Sequence, residues 1–200
     1  MFAVVESGSI TSFPKGNKGI VVGDVKHPKT IFTLWTEAER NAIGVYTVEI
    51  DETNRKDEIY YINTDISYAF GSGKVTGSYG TATAKAIADA NAKDENGDDL
   101  DPVIVIKGLK TQYKNQFNLQ AAGLLAPTDW YVVKATEVSD YSVPSAITTY
   151  RAAVRTKVNA METAIDGCAN VEALITLLEY TTDSDGVTSR PLGEFPDEVV

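Results

Sequence analysis

Hydrophobic and polar positions along the chain follow two different periods. Through roughly the first 80 residues the apolar side chains come in short alternating runs broken by turn residues, the pattern of β-strands and hairpins. Phe2-Ala3-Val4-Val5 and Ile10-Thr11-Ser12-Phe13 flank Glu6-Ser7-Gly8-Ser9 and predict a first hairpin, and Gly19-Ile20-Val21-Val22-Gly23 predicts a short strand. Further strands are predicted over Val45–Ile50 and Glu58–Ile62, with a polar turn between them. Ile66, Tyr68 and Phe70 alternate ahead of Gly71-Ser72-Gly73, and Val75 and Tyr79 follow, which reads as strand, turn, strand. Helix signals are confined here to Thr36-Glu37-Ala38-Glu39, a capping box, and to Gly44, which suits the left-handed position that ends a short helix.

The period changes further along. Residues 81–101 lack aromatics and read as a polar, acidic connector with partial helicity over Ala84–Ala92. Asp101 followed by Pro102 predicts a helix start, and Ile106, Leu109, Tyr113, Phe117, Ala121 and Leu124 then recur at helical spacing up to Leu125, before Pro127. Lys107, Lys110, Lys114, Asn115 and Asn118 mark the wet side of that helix. Asp129–Lys134 reads as a short strand, with Trp130 sealing one end of the helices around it. Ile147, Tyr150, Val154, Val158, Met161 and Ile165 form a near-heptad seam that Gly167 closes, packed on its own chain or against a second subunit. Asn170 caps a last helix, Val171–Glu179, with Leu174, Ile175 and Leu178 inward. The expected fold is α+β: an N-terminal antiparallel β-rich domain (1–80), the connector (81–101), a helical domain with a short strand (102–180), and an extended C-terminal arm (181–200), mobile in solution or laid along a neighbour.

Composition narrows the chemistry. A net charge of -10, with no run of Lys or Arg longer than two, argues against nucleic acid as a partner. No stretch approaches the roughly 20 apolar residues of a membrane span, and the first residues lack the pattern of a signal peptide, so synthesis and residence in a reducing cytosol are expected. The single cysteine, Cys168, excludes an internal disulfide and reads as a packing residue. The single histidine, His27, leaves His-based dyads, triads and zinc sites without material. Gly73-Lys74 resembles the end of a phosphate-binding loop, but Tyr68 and Val75 stand where that loop needs Gly and Ser or Thr. The acidic run Asp94–Asp99 fails the EF-hand spacing, with Asp99 in the glycine position and Val105 in that of the bidentate Glu; Asp183-Ser184-Asp185-Gly186 reads the same way. Neither a cofactor nor a metal is expected. Glu37, Glu39, Asp65 and Glu162 are scattered acids that do not form the carboxylate pair of a glycosidase.

Leu125-Ala126-Pro127-Thr128-Asp129-Trp130, then Val143-Pro144, then Tyr150-Arg151-Ala152-Ala153-Val154-Arg155 carry a resemblance. This segment resembles one common in tail-associated and tail-fibre-associated proteins of tailed bacteriophages, where Leu-x-x-Thr-Asp-Trp leads through a Pro to a helix bearing Tyr-Arg-x-x-Val-Arg. The opening MFAVVESGSITSFPKG is similar to the start of such small virion proteins, and Tyr60 to Tyr79 is similar to virion proteins of phages infecting marine bacteria. Lys134 stands where an Arg is often found, and the acidic tail is an addition.

The resemblance implies an interaction protein of the virion, in the tail, baseplate or fibre-attachment region, assembled in the host cytoplasm. Its implied partners are other tail or fibre proteins and further copies of itself. A tail-fibre assembly chaperone that does not stay in the particle is the alternative. Candidate partner-binding residues are Trp130, Tyr150, Arg151, Arg155, Tyr60, Tyr68 and Lys74. Within the helical segment, Trp130 and Tyr150 are expected to pack, while Arg151 and Arg155, four apart on one helix face, reach Asp129 or Glu137. Tyr60, Tyr61, Tyr68 and Tyr79 also suit carbohydrate binding, although alternating tyrosines more often support cross-strand packing or a protein interface.

Overall fold

A computed structural model describes residues 1–198, and the chain divides into two compact units, Met1–Thr83 and Ala84 onward. The fold is α+β, with strands dominating the first unit and helices the second.

The first unit contains β1 (Phe2–Glu6), β2 (Ser9–Ser12), β3 (Ile20–Val22), β4 (Val25–His27), α1 (Ile31–Leu34), α2 (Glu37–Ala42), β5 (Val45–Asp51), β6 (Tyr61–Ile62), β7 (Ile66–Gly71) and β8 (Lys74–Tyr79); β9 (Thr83–Ala84) spans the boundary. Five strands form one sheet in the order β2-β1-β5-β8-β7. Both predicted hairpins turn through a Ser-Gly pair with positive φ, Ser7 (49°) with Gly8 (79°) and Ser72 (52°) with Gly73 (76°), the mirror-image turn that matches strand twist. Thr36 caps α2 as the capping box predicts, its hydroxyl accepting from the Glu39 amide while Glu39 Oε2 accepts from the Thr36 amide at 2.7 Å.

The expectation of a purely antiparallel domain is corrected, because β5 and β8 run parallel. The β7–β8 hairpin docks through its second strand, placing β8, with buried Val75 and Gly77, inside the sheet and half-buried β7 at its edge. Apolar side chains line both sheet faces. Ala3, Val5, Val48 and Val75 gather with Ile10, Tyr46, Tyr68 and Phe70 on one, while Val4 and Val45 pack with Ile31 and Phe32 of α1 on the other. The sheet curls over the first cluster until its edge strands β2 and β7 meet, and the Phe13 ring lies 4.6 Å from that of Tyr68. The strand expected over Glu58–Ile62 shrinks to Tyr61–Ile62, since the Asp57 carbonyl accepts the Tyr60 and Tyr61 amides and its carboxylate accepts that of Ile59.

The second unit contains β10 (Ala90–Asn91), β11 (Val105–Ile106), α3 (Leu109–Leu125), a 3₁₀ turn (Ala126–Thr128), α4 (Asp129–Glu137), α5 (Ser145–Gly167), α6 (Val171–Leu178), β12 (Thr181–Thr182) and β13 (Thr188–Ser189). All six seam residues of α5 are buried. Against them lie Phe117 and Ala121 of α3, which runs antiparallel to α5, as the contacts of Lys114 with Asp166 (2.8 Å) and Asn118 with Glu162 (2.6 Å) require. Asn170 caps α6, its side chain accepting from the Ala173 amide at 2.9 Å.

Expectations fail at both ends of this unit. The helix from Pro102 begins only at Leu109, because β-branched Val105 and Ile106 take strand backbone and pair with β10. The segment 84–92, expected to be partly helical, instead caps α3: the Ala86 and Ile87 carbonyls accept the Leu109 and Lys110 amides at 3.0 Å each, and Asp89 accepts the Gly108 amide at 2.8 Å. The C-terminal arm folds back on its own unit. There β12 and β13 form a hairpin, Leu192 is buried with its amide on the Leu177 carbonyl (3.0 Å), and Lys157 donates to the Leu192 carbonyl (2.7 Å). The Arg190 guanidinium lies over the rings of Phe117 (5.3 Å) and Tyr180 (4.8 Å), an anchor that hydropathy does not register. Val199 and Val200, the end of the expected arm, lie outside the described residues.

Two measurements test this account. A Cβ on Gly77 would fall 2.8 Å from the Tyr68 ring and 2.9 Å from Ile66, so Gly77→Ala is expected to destabilise the first unit by about 1–3 kcal/mol, read from denaturant unfolding. Several carboxylates of the second unit sit below their usual range: Asp89 through the Thr111 hydroxyl and the Gly108 amide, Asp94 through the Asp98 and Asn96 amides, Asp99 through Lys93 and Asn91. A depressed folded pKa means that the unfolded chain takes up the proton first as pH falls. The melting temperature should therefore hold from pH 7 to about 5 and decline below about 4. A midpoint unchanged at pH 3 would contradict it.

Candidate protein-interaction surface

The residues singled out in the sequence fall into two groups, one in each unit. Those of the first unit have local structural roles. Tyr68 pairs across strands with Gly77 and packs inside the curled sheet, half-buried Tyr60 closes the turn after Asp57, and Lys74 is an exposed partner of Glu49 at 2.9 Å. The Glu49 carboxylate beside it raises the Lys74 pKa.

Those of the second unit meet. Arg151, 8% exposed, points from α5 toward the junction of α3 and α4. Its guanidinium donates to the Leu125 carbonyl (3.0 Å) and the Thr128 hydroxyl (2.5 Å) and pairs with the Asp129 carboxylate (2.8 Å). Immediately before it, Tyr150 is buried and aims its hydroxyl at the Leu124 carbonyl (3.4 Å). A planar cation with five donors suits this task, because the last carbonyls of a helix lack partners within the helix. The expected reach of Arg151 to Asp129 is therefore present. Arg155 is exposed and forms no ion pair among the described residues; it lines a cleft of about 280 Å³ with Val132, Val143, Thr148 and Arg151.

The segment expected as a strand at 129–134 is helical throughout. A strand would need a neighbour for its backbone, whereas a helix supplies its own partners. Asp129 in the first turn and Lys134 in the last also complement the helix dipole. Trp130, expected to be buried at the end of the helices, is instead 51% exposed. Its ring lies 3.8 Å from that of Tyr131, and the Lys134 ammonium lies 5.8 Å from it and 4.3 Å from the Tyr141 ring. Unlike α3, α5 and α6, α4 buries none of its residues; Trp130, Val132 and Val133 are exposed. A helix held at its base by a buried arginine thus displays Trp130 and Val133 beside Lys134 on one side and Val132 beside Arg155 on another. Thr128, Val132, Val143 and Thr148 were not among the candidate partner-binding residues of the sequence. Thr128-Asp129 directly after Pro127, a helix-initiating pattern, was the signal available.

Elsewhere, burial raises the thiol pKa of Cys168, the opposite of an activated nucleophile. The carboxylates of Asp94 and Asp183 are occupied with their own loop amides. Among the described residues no three His, Cys, Asp or Glu side chains gather as metal ligands, and no helix is long and apolar enough to cross a membrane. No protein-family model, curated protein or solved structure matches the chain.

Replacing Arg151 by Met would leave the Thr128 hydroxyl without its donor and the Leu125 carbonyl with only that hydroxyl as a side-chain donor. With Asp129 half in solvent, a loss of about 2 kcal/mol is expected, against less than about 0.5 kcal/mol for Arg155→Met, both read by denaturant unfolding. Equal effects would mean that Arg151 does not brace α4.

Proposed function

We propose that the protein is a non-enzymatic structural component of a tailed bacteriophage virion. In this reading it is made in the host cytoplasm and works in the tail, baseplate or fibre-attachment region through protein–protein assembly. The observation that carries the reading is the junction at Arg151. The two parts of the segment that resembles tail-associated proteins, Leu125–Trp130 and Tyr150–Arg155, meet there in one hydrogen-bonded node. That node holds α4 with its apolar side chains in water, Trp130 among them, the residue type that most often dominates binding energy at interfaces.

Mass spectrometry of purified particles should detect the chain at a fixed stoichiometry to the tail proteins. Trp130→Ser with Val133→Asp should lower incorporation at least tenfold while the melting temperature stays within a few degrees. Presence in infected cells but absence from particles would instead identify a transient fibre-assembly factor.

A further inference from the structure

Positive charge in the first unit is concentrated in one segment. From Phe13 to Trp35 the chain carries Lys15, Lys18, Lys26 and Lys29 against one acid, Asp24, although the whole sequence has a net charge of -10. These lysines are exposed, and none of them forms an ion pair among the described residues.

Two of them, Lys15 and Lys18, border a cavity of about 420 Å³ lined by the run from Pro14 to Ile20. This loop is anchored at two glycines whose place a larger residue would strain. A Cβ on Gly16 (φ 77°) would fall 3.3 Å from the Phe2 ring and 3.5 Å from that of Phe32, and one on Gly19 would fall 2.6 Å from the His27 carbonyl oxygen. The backbone amides of Lys15, Gly16, Asn17, Lys18 and Gly19 donate to no acceptor of the chain among the described residues, and neither does the Asn17 side chain. No carboxylate lines the cavity, and its charged side chains, Lys15 and Lys18, are both cations. Free amides and ammonium groups around one anchored, concave loop are the elements of an oxyanion site.

We propose that the 14–20 loop binds a phosphate group between Lys15 and Lys18. A carboxylate offers two oxygens and a single charge, whereas a phosphate monoester offers three terminal oxygens and a charge of about -1.5 to -2, which suits two ammonium groups and several amides at once. The volume indicates what the phosphate is attached to. About 420 Å³ exceeds the need of a bare ion and lies within the range of small-molecule pockets. No aromatic ring is among the lining residues, so a nucleobase would have no platform on which to stack. Pro14 and Ile20 instead leave room for a compact aliphatic or sugar body, and the ligand class is a small non-aromatic phosphate ester. Lys26 and Lys29 do not line the cavity; their field draws anions toward it. The loop belongs to the first unit and makes no use of α4, so the site does not depend on where in a particle the protein works.

Amide NMR spectra of the full chain, titrated at low salt with inorganic phosphate and with glycerophosphate, test the site. Both should give saturable shifts centred on the amides from Lys15 to Gly19, with half-saturation at about 1 mM for the ion and several-fold lower for the ester. Sodium acetate at equal ionic strength should move the same amides far less. Lys15→Gln combined with Lys18→Gln should raise half-saturation at least about tenfold. Lys26→Gln combined with Lys29→Gln removes the same charge nearby and should change it less than about threefold. The substituted positions are exposed, so both double variants should fold, with spectra unchanged outside the loop and hairpin. Absence of saturation, acetate equal to phosphate, or equal losses in the two double variants would each overturn the proposal, leaving a general attraction of anions to surface lysines. A free ion that binds more tightly than glycerophosphate would overturn the ester and assign the cavity to inorganic phosphate.

Discussion

Backbone amides and carbonyls that leave water need partners, and the need to supply them shapes the second unit more than any single apolar contact. The first amides of α3 find carbonyls in the preceding segment, and its last carbonyls find Arg151 and Tyr150. Residues 129–137, rich in β-branched and aromatic side chains, become helical because no strand lies beside them to share a ladder. Val105 and Ile106, of similar composition, become extended because Ala90 and Asn91 do lie beside them. Propensity pointed the same way for both segments, and the availability of a partner separated them.

The buried arginine links this constraint to the exposed surface. An uncompensated guanidinium in the interior would be costly, and its value lies in giving up water for three acceptors at once. In return it fixes where α4 leaves the α3–α5 pair. A short helix without a buried face would otherwise have little to hold it. The indole of Trp130 and the side chains of Val132 and Val133 thus remain solvent-facing through a polar contact, a reversal of the usual division in which apolar packing positions polar groups.

The parts legible in the sequence were those with a period or a local chemical signature. The α5 seam, the capping box at Thr36, the Asn170 cap and the two Ser-Gly hairpins follow from residues within a turn or two of one another. The parts that were not legible depend on residues far apart. The parallel β5–β8 pair, the capping of α3 by residues 86–89 and the return of the C-terminal segment through Leu192 and Arg190 have no signature in a short window. For the candidate surface, the sequence pointed to Trp130, Tyr150, Arg151 and Arg155; the fold brings Tyr150 and Arg151 to one junction, lines the adjacent cleft with Arg155 and leaves Trp130 exposed on α4. Tyr60, Tyr68 and Lys74 belong to the first unit, where their contacts are local. The burial of Trp130 was misjudged because a strand and a helix turn the same residue to different sides.

The position of β1 has a consequence for the order in which the first unit can form. It is an interior strand, between β2 and β5, and the Met1 carbonyl accepts the Val48 amide at 3.0 Å. On a ribosome this strand emerges before the other strands of its sheet, but only its hairpin with β2 can close at once. Its other edge waits for β5, and β5 in turn waits for β8. Hairpins made early must therefore persist as incomplete sheets with open edges until nearly the whole first unit has been synthesised. The interval in which a nascent strand can pair with the wrong neighbour is set by the distance along the chain between β1 and β8, and at a given elongation rate a shorter loop between β5 and β7 would narrow it.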